Sequence, residues 1–388
     1  MEEDFVKATD LISLLGGLSL FLYGMQMMSN GLEAAAGNKM KRILERLTAN
    51  RILGVLVGAG ITAVIQSSSA TTVMVVGFVN SGMMTLQQAV WIIMGANIGT
   101  TITGQLIALD IGAIAPLFAF IGVAMIVFLK KEKLHHFGKI IAGLGILFIG
   151  MDMMSAAMMP LRESEAFISL MTQFSNPVLG ILAGAIFTAI IQSSSASVGI
   201  LQALASSGVI GLPQAVYVLF GQNIGTCITA VLAAIGTSRN AKRTTIIHLS
   251  FNIIGTIVFT IICMVTPFVS LMEGLTPNVS AQIANTHTIF NITTTLLLLP
   301  FGTQLAKMAT KILPDRAEEK EDTMHLEYIQ PMIPIETRGE TKIGISAIAV
   351  NAIRNELTRM TKMAKENVAL SFDAVREGNT GLLEEVRN

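Results

Sequence analysis

Two apolar segments, 52–80 and 178–206, are each broken midway by the same polar run, Gln66-Ser67-Ser68-Ser69-Ala70 and Gln192-Ser193-Ser194-Ser195-Ala196. Shifting the chain by 126 residues lays 52–103 on 178–229 without a gap, and 26 of the 52 positions are identical. The match includes Gly54/Gly180, Gly58/Gly184, Thr62/Thr188 and Asn97-Ile98-Gly99-Thr100 against Asn223-Ile224-Gly225-Thr226. The same shift sets Gly24-Met25 on Gly150-Met151 and Met27-Met28-Ser29 on Met153-Met154-Ser155. The unit therefore runs from about 17 to 103 and recurs at 143 to 229. Chance likeness between two apolar helices does not extend through polar loops, so the fold has to be built twice from one plan.

The medium around that plan follows from the charges. A soluble domain carries about a quarter charged residues; here the share is 13%, with 52% hydrophobic residues and a mean hydropathy of +0.64. Residues 1–303 hold 14 Lys/Arg and 12 Asp/Glu, whereas the 85 residues of 304–388 hold 12 and 14. The first part reads as membrane-embedded and the second as soluble. Zero net charge without a basic stripe argues against nucleic acid. Cys227 and Cys263 both lie in apolar segments, which leaves neither a disulfide framework nor a thiolate metal site. The first apolar segment follows Met-Glu-Glu-Asp rather than a basic region, so it reads as a retained span.

Crossing ~30 Å of hydrocarbon takes ~20 apolar residues, which predicts spans at about 11–30, 86–107, 111–129, 139–158, 212–235, 245–267 and 286–303. The two interrupted segments end at Ser81-Gly82 and Ser207-Gly208, and the basic residues decide their threading. If each dips in and returns, Lys39, Lys41, Arg42, Arg46, Arg51, Lys130, Lys131, Lys133, Lys139, Arg239, Lys242, Arg243 and the charged tail share one side. Only Lys7 and Arg162 lie opposite. The positive-inside rule makes the crowded side the cytoplasm. This gives seven crossings with the N-terminus outside, the C-terminus cytoplasmic and the two units inverted. Inverted repeats with broken helices belong to secondary transporters, whose sites lie near mid-membrane at the repeat interface.

Polar backbone at that depth is tolerated only beside protein or a water-filled cavity. Residues 52–65 and 70–79 predict two half-helices meeting at the serines, with Ser68, Ser69, Thr71 and Thr72 as candidate caps. A helix N-terminus supplies free N–H groups and a partial positive charge, an anion site without Arg or Lys. Carbonyls and hydroxyls supply neutral oxygens suited to a hard cation. The Asn-Ile-Gly-Thr runs are expected to interrupt 86–107 and 212–235, so that Asn97, Thr100, Thr101, Thr103, Asn223, Thr226 and Thr229 add oxygens; plain interhelical hydrogen bonding is the other reading. Asp152 is the one acid within a predicted span and lies near its outer end. His248 and His287 open two His-x-x-Phe-Asn runs that either relay protons, orient Asn252 and Asn291, or only bond between helices. The absence of a carboxylate relay favours sodium over proton coupling. No Gly-x-Ser-x-Gly elbow is present, so the chain does not read as a hydrolase or other enzyme.

At these residues the chain resembles the type II sodium/phosphate cotransporter family, over about 11–303. The resemblance rests on both Gln-Ser-Ser-Ser-Ala runs, both Gly-x-Asn-Ile-Gly-Thr runs (95–100 and 221–226) and both His-x-x-Phe-Asn runs. It implies sodium-driven import of inorganic phosphate by alternating access, with the anion held between two re-entrant hairpins. Carried over by position, Gln66, Ser67, Ser68, Ser69, Gln192, Ser193, Ser194 and Ser195 would hold phosphate. Sodium would take Gln66, Ser69, Asn97, Thr100, Gln192, Ser195, Asn223 and Thr226. Sodium is then the co-transported ion, no organic cofactor is implied, and the location is a bacterial plasma (inner) membrane. A carrier of another small anion and a phosphate-sensing membrane protein are the alternatives, and a homodimer is a candidate assembly.

The tail is similar to the bacterial branch that carries a PhoU-like helical domain. Ile353, Leu357, Met360, Ala364, Val368, Ser371 and Val375 form one apolar stripe at helical spacing. Gly378-Asn379-Thr380-Gly381 reads as a turn, and Leu382-Leu383 as the start of a second helix. The expected fold is an all-α polytopic membrane protein with two inverted repeats (about 11–129 and 139–267), two re-entrant hairpins, interrupted spans and a last span at 286–303. A linker at 304–343 and an incomplete PhoU-like segment at 344–388, a cytoplasmic helical tail, complete it.

Overall fold

The computed structural model describes residues 8–36, 50–109, 111–315 and 342–377. The chain divides after Pro314 into two units. No strand occurs among the described residues. In the first unit the helices are α1 (Ala8–Ala36), α2 (Arg51–Ile65), α3 (Ser68–Asn80), α4 (Leu86–Ile107), α5 (Ala115–Phe128), α6 (Glu132–Met158), α7 (Glu165–Gln173) and α8 (Pro177–Ile191). They continue as α9 (Ser194–Ser206), α10 (Leu212–Gly225), α11 (Cys227–Ala233), α12 (Arg239–Val265), α13 (Phe268–Leu275), α14 (Val279–Leu298) and α15 (Gly302–Ile312). Among the described residues six helices, with α10–α11 and α14–α15 each counting as one, are long and apolar enough to cross a membrane. Side chains such as Phe128, Ile190 and Phe120 point outward from the bundle. Such faces suit hydrocarbon, not water. The unit is a multi-pass membrane domain.

Glycine brings its helices together. A Cβ on Gly24 would lie 2.6 Å from the Gly143 carbonyl oxygen, and one on Gly150 2.6 Å from that of Gly17. Helices α1 and α6, which the repeat relates, therefore touch backbone to backbone. The same economy joins α2 to α4, where a Cβ on Gly58 would come within 2.2 Å of Ile92 O, and α8 to α10, where one on Gly184 would come within 2.0 Å of Val218 O. Small residues at such crossings let van der Waals contact replace the hydrophobic drive that lipid does not supply.

Several expectations shift. The run Asn97–Thr103 does not interrupt a span: α4 is continuous through it. Asn97 Nδ2 donates to Ile93 O at 2.9 Å and Thr101 Oγ1 to Ile98 O at 2.8 Å, so these side chains bond back onto their own helix and leave its ladder intact. In the second repeat the helix is interrupted at one residue, Thr226, which separates α10 from α11 while keeping helical dihedrals. The last span begins at Val279 rather than 286 and is followed, after a 3-10 turn at Pro300, by α15, which occupies the start of the expected linker. Arg243 fastens its end, with Nε and Nη2 donating to Leu313 O at 2.9 and 2.8 Å.

In the second unit α16 (Lys342–Glu377) is a single helix. Leu357, Met360, Val368 and Val375 of the expected stripe are exposed on it. The rest of the expected linker from 316 to 341, the turn at 378–381, the helix start at 382–383 and the basic residues Lys39 to Arg46 lie outside the described residues.

Candidate functional site

Each polar pentapeptide folds the same way. Gln66 ends α2 at φ 59° and Gln192 ends α8 at φ 60°, both left-handed, so each apolar helix stops abruptly. The next residue is extended: Ser67 (φ −146°) accepts from Ala70 N and Ser193 (φ −140°) from Ala196 N. The caps are thus Ser67 and Ser193, not Ser68, Ser69, Thr71 or Thr72. Once Gln66 has reversed the chain, Ser67 is the one residue with cap dihedrals, and Ser68 already belongs to the helix.

The two turns meet. Ser68 Oγ and Ser194 Oγ, which are 126 residues apart and so repeat-related, lie 3.4 Å from each other. Thr100 Oγ1 is 3.4 Å from Ser194 Oγ, and Thr103 Oγ1 is 3.4 Å from Ser195 Oγ. Thr103 donates to Gln66 Oε1 at 2.7 Å, and Ser195 Oγ to Gln66 O at 3.3 Å. Gln66 Nε2 turns back to Ala63 O. The N-termini of α3 and α9 therefore open beside each other on a cavity of about 200 Å³, lined by Gln66 to Ser69, Ser193 to Ser195 and one side of α1. Partial positive charge from two helix starts and several hydroxyls suit a small anion with neutral-oxygen cation sites next to it.

The expected residues are not brought in equally. Gln66 is 4% exposed and lines the cavity; Gln192 is exposed and does not. Thr100 reaches the serines, but its counterpart Thr226 donates to Gln222 O at 2.9 Å. Asn97 and Asn223 are buried, each donating to a carbonyl of its own helix, and neither lines the cavity. His287 Nε2 lies 3.4 Å from Asn223 Oδ1, whereas neither ring nitrogen of His248 has a hydrogen-bond partner. Asn252 and Asn291 bond the carbonyls of His248 and His287, one turn back on their own helices. Asp152 stays away from the serines; its Oδ2 would lie 2.8 Å from a Cβ on Gly112, where the helix leading into α5 begins. Met25, Gln26, Ser29, Asn30 and Glu33 of α1 line the cavity and were not foreseen. The only hint was the polar spacing of 26, 29, 30 and 33, one helical face.

Fold and cavity together define a multi-pass membrane protein with a cavity at its two serine turns. A family model described as Na+/Pi-cotransporter matches residues 20–156 and 158–299. The chain belongs to that family, one of transporters and not of enzymes. Among its relatives, the uncharacterized protein YqeW of Bacillus subtilis is 33% identical over 309 residues, covering 78% of this chain and 98% of YqeW. YjbB of Salmonella typhimurium, provisionally named an inorganic phosphate export protein, is 28% identical over 79% of this chain and 56% of its own. The chain thus spans about half the length of that relative. Human sodium-dependent phosphate transport protein 2B is 38% identical over 101 residues, 26% of this chain and 15% of that protein. No solved structure matches significantly.

Proposed function

We propose that the chain carries inorganic phosphate across a bacterial plasma membrane, coupled to sodium, with the anion held where the two Gln-Ser-Ser-Ser turns face each other. The 3.4 Å approach of Ser68 and Ser194 at paired helix starts carries this reading. It concentrates donors at one point in a domain with no Arg or Lys in the cavity lining. Phosphate is the anion named in the family description and in the human and enterobacterial relatives. Sodium fits the neutral oxygens of Gln66, Ser69, Thr100 and Ser195, supported by Asn97. The repeat adds Gln192, Asn223 and Thr226, which would have to turn inward to join them. The two units are read as inverted, with α2–α3 and α8–α9 as re-entrant hairpins, the N-terminus outside and the tail in the cytoplasm.

Direction and coupling form one question. A symporter driven by an inward sodium gradient imports; the provisional naming of YjbB for export favours a second reading, in which sodium does not drive the step. Proteoliposomes loaded with or without labelled phosphate separate the two. Uptake that follows an inward sodium gradient, survives collapse of the proton gradient and fails in choline supports the first. Phosphate efflux indifferent to sodium refutes it.

A further inference from the structure

Two helices lead from the serine turns to a second cavity, of about 450 Å³. On α9, Ser194 and Ser195 line the first cavity, Gln202 follows two turns on, and Ala205 and Ser206 line the second. On α4, Thr103 lies 3.4 Å from Ser195 Oγ, Gly104 comes next, and Ile107 lines the second cavity. Ser280, at the start of α14, lines it too. Gln202 stands at the level between. Its Nε2 donates to Gly104 O and to Ser280 O, both at 3.0 Å. The side chain is fully buried, and Val198 and Ala284 crowd the same spot, 3.5 and 3.9 Å from where a Cβ on Gly104 would lie. One amide thus fills the neck between the two cavities.

This tie differs from the hydroxyl contacts around it. Ser194 and Ser195 reach Ser68, Thr100, Thr103 and Gln66 at 3.3 or 3.4 Å, whereas the Gln202 bonds are shorter and hold α9 to two other helices. Gln202 Oε1 has no hydrogen-bond partner, and a buried acceptor left so works against the closed contact. Swung toward the second cavity, the amide would exchange two carbonyls for water and satisfy that oxygen as well. Closed and open arrangements are therefore near in energy. With the amide released, α9 stays with α10, because Gln222 Nε2 donates to Ser197 O at 3.0 Å. The repeat counterpart of Gln202 is Val76, which sits in an apolar cluster with Ala234 and Ala241. Only the second repeat carries the tie.

We propose that Gln202 is a positioning residue of the transport reaction: it holds α9 against α4 and α14 and so bars the way between the second cavity and the serine turns. The inference rests on the transport reading and the threading given above, which put the end of α4, the end of α9 and the start of α14 on the outer side. The bond breaks to admit the anion from outside and re-forms before the anion leaves inward. Its loss favours the outward-open arrangement.

Gln202→Leu, which keeps the bulk without the donor, and Gln202→Asn, too short to reach both carbonyls, test the assignment. A cysteine replacing Val198, which is 2% exposed, reports on the neck in a background with Cys227 and Cys263 changed to alanine. In right-side-out vesicles an impermeant thiol reagent should label it slowly while Gln202 is present and about tenfold faster in Gln202→Leu, the effect of losing two hydrogen bonds. Gln202→Asn should fall between, and it decides the matter alone if Gln202→Leu does not fold. Maximal phosphate uptake should drop while half-saturating external phosphate stays the same or falls, a split that plain destabilisation does not produce. Equal labelling with and without Gln202 overturns the assignment, whatever the uptake. Faster labelling in the variants of a chain that moves no phosphate retires the transport reading and keeps Gln202 as the bar.

Discussion

At Gln66 and Gln192 a residue with a long side chain occupies left-handed backbone, where an L-residue loses roughly 1–2 kcal/mol and glycine does not. Retaining glutamine there implies that the side chain is worth more than the strain. Gln66→Gly should keep or raise thermal stability, by up to ~1 kcal/mol, while removing the acceptor of the 2.7 Å Thr103 bond and with it most transport. Gln192→Gly should gain similarly and lose less, because its side chain is exposed and outside the cavity. Paired thermal-shift and uptake measurements on the two variants check this; equal losses of transport would contradict the asymmetry. Ser68→Ala or Ser194→Ala should weaken phosphate binding by ~1.5–3 kcal/mol, roughly ten- to a hundredfold. The polar turns were legible in the sequence because five identical residues interrupt apolar runs. The inequality of the two glutamines was not, since identity between repeats says nothing about what the flanking helices cover.

The helices show where that inequality comes from. Positions 71–80 and 197–206 share no residue under the 126-residue shift, although the segments on either side match closely. In the first hairpin Thr62 Oγ1 donates to Thr71 Oγ1 at 2.9 Å and clasps the two arms. In the second, Thr188 and Ser197 take those places and neither hydroxyl has a hydrogen-bond partner. Thr71→Val should therefore lower the melting temperature, by the equivalent of ~1–2 kcal/mol for an orphaned Thr62 hydroxyl. Ser197→Ala should be nearly neutral. An equal effect of the two substitutions in a thermal-shift assay would count against the clasp. Helix positions were readable from the pattern to within about seven residues. The cap register and the continuity of α4 were not, because back-bonding hides a polar run inside a regular helix.

For the whole molecule, the apolar segments and the distribution of basic residues carried most of what could be inferred, since lipid leaves few ways to satisfy a backbone. Sidedness is open to direct measurement. A cysteine replacing Ser164 should react with an impermeant thiol reagent from outside, and one replacing Asn240 from inside; reversed labelling would overturn the proposed threading. What no pattern of hydropathy could supply was the α1 wall: Met25 and Ser29 recur as Met151 and Ser155, yet only the first copy lines the cavity at the serine turns. The glycine contacts carry a mechanical consequence. Where a carbonyl oxygen sits about 2 Å from the place a Cβ would fill, as at Gly58 and Gly184, two helices cannot slide without collision. Helices α2 with α4, and α8 with α10, accordingly behave as two solid blocks. At the seam between the halves, Ser68 of α3 and Ser194 of α9 meet only through hydroxyls at 3.4 Å, and further along α9 Gln202 Nε2 donates to Gly104 O at 3.0 Å. Spin-label distances within a block should stay fixed with and without sodium, while distances across the seam change. On this prediction glycine locks each block, and the blocks part along the serine seam.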